Sequence, residues 1–274
     1  PRPIVVDGRL YAFYRIRPEA DAAEGTPQRL AVGVSGDEGQ SWDETVIARA
    51  DDASEPIPTY DPERGTFYVV WHDNRNGDLD AFVSTSSDGA TWSEPLRMND
   101  DPEETTTGQF YPQLALAPDG RLDVAWYDYR DDTYPAPQPD PDSGLNLFNN
   151  MGKQQSVYLT SSHDGGRTWT PNVRVNDVRI DRTIGLWDPN YFFQVPLSVA
   201  SSDDRTLVAW SDTRNGDAVT GTQDIVTAAV AASTDEGDRN LLLLGGGAGL
   251  VLGAGLAAFA MLALLRRWTR SAAP

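Results

Sequence analysis

The chain has 274 residues, 41 acidic against 22 basic, for a net charge of −19 at pH 7; it has no cysteine. So acidic a chain lacks the basic patch that phosphate binding requires, which argues against nucleic acid as a partner. The absence of cysteine excludes disulfides, thiol catalysis and thiolate metal sites.

In chain order, short runs of Val, Tyr, Phe and Trp are punctuated by Gly, Asp and Asn, the pattern of strands joined by tight turns. The first unit predicts strands over 3–7, 9–16, 29–34 and 44–49, and the second over 56–61, 66–73, 80–85 and 94–99. The third predicts 111–117, 121–128, 155–161 and 172–176. The fourth predicts 193–200, 206–212 and 224–231, with no outer strand before a linker at 234–240.

Two motifs recur with these units. A strand ends Trp-x-Asp-x-Arg at Trp71-His72-Asp73-Asn74-Arg75, Trp126-Tyr127-Asp128-Tyr129-Arg130 and Trp210-Ser211-Asp212-Thr213-Arg214. A turn of the form Ser-x-Asp-x-Gly-x-Ser/Thr-Trp follows at 35–42 and 162–169, with a shorter copy at 86–92 and a broken one from Ser233. Repetition at about 50 residues, once 131–152 is set aside as an insertion, is the mark of a propeller. In the turn, Asp37, Asp88 and Asp164 can accept backbone amides, and Gly39 and Gly166 supply positive φ. Trp42, Trp92 and Trp169 then leave as apolar plugs between sheets.

After the last unit, 241–265 is uncharged and apolar, close to the ~20 residues that cross a bilayer. Arg266, Arg267 and Arg270 follow it, and Asp235, Glu236 and Asp238 precede it. The positive-inside rule puts the basic tail, 266–274, in the cytoplasm and the propeller outside, on a single-pass anchor in the cell membrane. Gly245, Gly249 and Gly253 share one helix face, which either permits helix-mediated self-association or reflects the ordinary abundance of glycine in membrane helices. An outward-facing domain needs an export signal, and Pro1-Arg2-Pro3 is not one, so the expectation is that residues precede Pro1.

The turns and their spacing resemble the Asp-box (BNR) repeat proteins, and among them the bacterial sialidase-like β-propellers. The resemblance covers residues 1–233, as blades of about 1–50, 51–100, 101–177 and 178–233. It implies an all-β fold of which about four blades are present, part of a six-bladed ring, with Asp boxes on the face opposite the ligand site. The loops after each second strand would open onto the ligand face. The family's sialidases hold a substrate carboxylate with an arginine triad and use a Tyr/Glu nucleophile with an Asp acid/base. Their Arg-Ile-Pro signature is approached by Tyr14-Arg15-Ile16-Arg17-Pro18, but an extra arginine precedes the proline and no Asp or Glu motif follows.

Arg75, Arg130 and Arg214 admit two readings. On neighbouring blades they suit a carboxylate clamp; alternatively each pairs with Asp73, Asp128 or Asp212 two positions earlier and fastens its own turn. Asymmetric segments are stronger candidates for ligand contact. The insertion 131–152 carries Tyr134 and should lie over the ligand face; the connection 179–191 carries Arg182, Trp187 and Tyr191, with Trp187 either a rim platform or a core plug. Asp78, Asp80, Asp140 and Asp142 are hard oxygen ligands that suit calcium or simply solvate loops. No other cofactor is implied, no metal site is assigned, and His72 and His163 are expected at the surface. Two functions from different classes follow: a cell-surface propeller that binds glycans or proteins, or an exo-α-sialidase-type glycoside hydrolase acting on acidic sugars.

Overall fold

The computed structural model describes residues 2–23, 25–102, 107–132, 154–181, 184, 197–216, 223–232 and 243–244. These form four antiparallel sheets, each a meander in chain order. The first comprises β1 (Arg2–Val6), β2 (Arg9–Ile16), β3 (Gln28–Ser35) and β4 (Asp43–Ala50). The second comprises β5 (Ile57–Asp61), β6 (Thr66–Asp73), β7 (Asp80–Ser86) and β8 (Leu96–Arg97). The third has β9 (Gln109–Leu116), β10 (Leu122–Asp128), β11 (Gln154–Ser162) and β12 (Val173–Arg174), with β13 (Ile180–Asp181) also paired to β11. The fourth has β14 (Ser198–Ser201), β15 (Arg205–Asp212), β16 (Asp224–Ala231) and β17 (Leu243–Leu244).

Burial explains why these strands stack as blades. Every residue of β10 is buried, and so is every residue of β6 after Thr66, so the second and third sheets are covered on both faces. Tyr11, Phe13 and Val32 of the first sheet meet Phe67, Trp71 and Phe82 of the second. Val70 and Val83 meet Val124 and Trp126, and Tyr127 and Leu159 meet Val208, Trp210 and Val226. Alternate residues of one strand therefore serve two different cores, as the pleat dictates. β15 instead alternates buried and accessible, leaving Leu207 and, on β16, Ile225 exposed.

Polar side chains lock the blades where the cores end. Arg121 is buried beside Asp123, 3.1 Å away, and donates to the Ser202 and Asp203 carbonyls, while Asp123 accepts from Ser201 and Thr206. Burying that guanidinium requires this full set of partners.

The three aspartate-centred turns join β3–β4, β7–β8 and β11–β12. Asp37 accepts the Ser41 amide at 2.9 Å and its hydroxyl at 2.6 Å. Asp88 accepts the Ala90 and Thr91 amides, and Asp164 the Arg167 and Thr168 amides. Gly39 and Gly166 have φ of +87° and +81°. Trp92 packs edge-on to Phe13 of the preceding sheet at 6.0 Å, and Trp169 packs in the core between second and third sheets. Trp42 departs from the expected plug: it lies along Gly33 of its own sheet and is 47% exposed. Its repeat partners fill the gap toward the preceding sheet, and the first sheet has none among the described residues.

Two predicted elements change. The fourth unit does have an outer strand, because Leu243 and Leu244 pair with Val230 and Ala229. Those two residues were expected at the start of the membrane helix; backbone pairing to the open edge of β16 takes them instead. The rest of 241–265 lies outside the described residues, among which no helix is long and apolar enough to cross a membrane.

Candidate functional site

The ends of β2, β6, β10 and β15 and the sheet-to-sheet connections share the edge opposite the aspartate-centred turns. The last three of these strands, β6, β10 and β15, finish there in the same way. Trp71, Trp126 and Trp210 donate their indole N–H to Asp73, Asp128 and Asp212 at 2.6, 2.8 and 2.8 Å. The strand pleat puts Trp and Asp on one side; the following turn then returns the arginine. Arg75 gives Asp73 its backbone N–H, Nε and Nη2, and Arg214 does the same to Asp212.

Arg130 is held most heavily. Besides Asp128 it engages Asp100 and Asn172 and lies 4.3 Å over the Tyr158 ring. Burial works against its charge, but Asp128 and the other carboxylates outweigh that and raise its pKa. Arg214 reaches across to Asp177 at 2.9 Å. The three arginines therefore sit on three successive sheets with their forks closed on carboxylates of this chain.

Where the first three sheets meet at this edge, the repeat symmetry breaks. His72 is buried rather than at the surface as expected, because its position on β6 faces the third sheet. Its Nδ1 accepts the Tyr111 N–H at 2.9 Å, which leaves the ring proton on Nε2. Burial, with help from the Arg15 charge, lowers the His72 pKa to about 3. His163, by contrast, is exposed in the turn between β11 and β12.

Tyr111 has φ +52°, a conformation that costs an aromatic residue strain. The cause is a bulge: Tyr111 and Pro112 of β9 together oppose Trp126, between the Ala125–Gln113 and Tyr127–Phe110 pairs. Proline inside a strand is the sequence signal for such an interruption.

Beside His72, Arg15 donates to Glu55 at 3.2 Å and to the Ala53 carbonyl. Asp52, at φ +48°, stands in the same connection. Its burial raises the carboxyl pKa against the opposing pull of Arg15. A half-buried carboxyl with a raised pKa, within the field of an arginine, is the kind of group that proton transfer uses. Sequence reading discounted Arg15 for its imperfect motif and had no signal for Asp52, whose character comes from packing.

Of the remaining sequence candidates, Tyr134, Arg182, Trp187 and Tyr191 lie outside the described residues, as do Asp140 and Asp142. Asp80 is fully buried and accepts from Asn76, Arg97 and Asn99, each at 2.7 Å, so nitrogen donors occupy the carboxylate considered for calcium. Among the described residues no three His, Cys, Asp or Glu side chains converge as metal ligands.

No family model matches the chain, and no curated protein does. Among solved structures it is similar to a glycosyl hydrolase from Bacteroides ovatus, at 12% identity over 89% of this chain and 68% of that one, TM-score 0.45. It is also similar to Trypanosoma rangeli sialidase in complex with the inhibitor DANA, at 13% identity over 89% of this chain and 37% of that one, TM-score 0.49. A third is the GH93 α-L-arabinofuranosidase of Fusarium graminearum with arabinobiose, at 13% identity over 86% and 70%, TM-score 0.45. Likenesses this distant leave the chemistry of the site to its own residues.

Proposed function

We propose that this chain is an Asp-box propeller segment that binds carbohydrate at the cell surface. The observation that carries this reading is the closure of Arg75, Arg130 and Arg214 on Asp73, Asp128 and Asp212. Arginines committed to their own turns make a rigid rim, and ligand contact passes to the segments that break the repeat. The apolar run 245–265, about 20 residues with arginines behind it, supports a single-pass anchor with the propeller outside. Half-exposed Trp42 supports a further sheet packed on the first, as part of a six-bladed ring. Binding of the full chain to an immobilised glycan panel tests the function; a folded protein that retains no glycan sinks it.

A second reading, a glycoside hydrolase acting on acidic sugars, is favoured by Asp52 alone. Turnover of a fluorogenic sialoside that disappears in Asp52→Asn, with binding retained, would establish it. Turnover unaffected by that substitution would remove Asp52 from the chemistry.

A further inference from the structure

The first strands of the four sheets, β1, β5, β9 and β14, touch one another in that order, so they line the axis on which the sheets converge. β1, β5 and β14 pair with their second strands without interruption. Among the described residues β9 is the exception, broken by the bulge that sets Tyr111 at φ +52°. Bulges re-aim side chains and collect beside ligand sites. Strain of this kind persists only where the surroundings impose it.

Here the surroundings do so through His72. The Tyr111 N–H goes to His72 Nδ1 at 2.9 Å. Only a neutral imidazole can accept there, and burial, helped by the Arg15 charge, keeps the ring neutral by lowering its pKa to about 3. The Tyr111 ring stands edge-on to that imidazole at 5.3 Å and tilted to Phe110 at 6.4 Å. It packs against the core between the third and fourth sheets yet stays partly exposed.

The same edge is closed to an anion. Arg15, Arg75, Arg130 and Arg214 are paired with Glu55, Asp73, Asp128 and Asp212. The chain around them carries a net charge of −19, which repels a charged sugar. A neutral pyranose needs only an aromatic surface for its C–H groups and polar groups for its hydroxyls. Asp52 and Glu55 supply acceptors in the connection beside His72, and Glu55 is more than half exposed while it holds Arg15.

We infer that the Tyr111 ring is the stacking platform for a neutral pyranose, with His72 as the residue that positions it. This rests on the carbohydrate-binding reading above and names the sugar class and the side chain that receives it.

The test is retention of the full chain in detergent on immobilised β-galactosides, β-glucosides and β-glucuronides. Wild type is compared with Tyr111→Phe, Tyr111→Asn, His72→Asn and His72→Leu. Asparagine tolerates positive φ, so Tyr111→Asn removes the ring while relaxing the backbone, and a cooperative melt confirms its fold. The expected result is neutral-sugar binding weakened about tenfold in Tyr111→Asn and largely kept in Tyr111→Phe. His72→Asn, whose Oδ1 can take the Tyr111 N–H, should restore most of the binding lost in His72→Leu. Retention should not change between about 0.05 M and 0.5 M salt, because no charge pair forms with the ligand. Neutral-sugar retention indifferent to Tyr111→Asn overturns the platform and leaves the carbohydrate reading intact. Glucuronides held more tightly than neutral sugars, and released by salt, overturn the sugar class. A folded chain that retains none of the glycans sinks the carbohydrate reading, and this inference with it.

Discussion

Lowering the pH from 7 to 5 should destabilise the protein through His72. Its ordinary pKa is about 6.5, whereas burial lowers it to about 3 in the folded chain. The unfolded state therefore takes up the proton first, and stability falls with pH from about 6.5 down to about 3. At pH 5 the protonated unfolded state is favoured by about 1.5 pH units, or about 2 kcal/mol. Asp52 acts in the opposite sense, since its carboxyl is raised in the fold and protonation there is stabilising. The turn aspartates titrate elsewhere. The Ser41 hydroxyl, the Thr91 amide and the Thr168 hydroxyl are the foremost bonds holding Asp37, Asp88 and Asp164 at about 2, so their contribution is lost between about pH 4 and pH 2. Urea unfolding at pH 7, 6 and 5 would be compared for wild type and His72→Asn, whose Oδ1 can take the Tyr111 N–H. The variant should be weaker at pH 7, having lost the ring contacts, yet nearly flat from pH 7 to 5. An equal pH slope in both proteins would refute the reasoning.

Arg130→Ala strips the partner from fully buried Asp128 and should cost about 3–5 kcal/mol in chemical denaturation; a loss below about 1 would mean that the pair contributes little. Gly89→Ala should cost more than about 2 kcal/mol, since φ is +72° and the new Cβ would stand 2.6 Å from the Tyr11 ring. Gly77→Ala, at φ +105° in open space, should cost only its backbone strain, about 1–2 kcal/mol, and the pair of melting curves separates strain from collision. Within the 274-residue chain, where no further described sheet covers the first, Trp92→Ser should cost about 3 kcal/mol or more and Trp42→Ser much less. Equal losses in that chain would show that the Trp42 ring is packed as closely as Trp92.

Much of this architecture was legible in the chain. Pleat and turn chemistry are local, so the bounds of β2, β6 and β16 and the hydrogen-bonding task of Asp37, Asp88 and Asp164 follow from residue order alone. The Asp–Arg pairs were legible too, because two residues of spacing bring them together whatever the sheet packs against. Tertiary structure decided the rest. His72 and Arg15 occupy equivalent places on successive second strands, and only the stacking of three sheets buries the one and brings the other beside Asp52. Trp42 and Trp92 end the same turn motif, but exposure depends on whether a preceding sheet is there to receive the ring. The outer strand Leu243–Leu244 reads as the start of an apolar span, because composition records hydrophobicity and carries no trace of the open edge on β16. β13 arises because the chain turns back to β11 after β12, and nothing in the residue order announces that return. Local rules determined the strands and turns; the order in which sheets meet determined which side chains are buried, charged and within reach of a ligand.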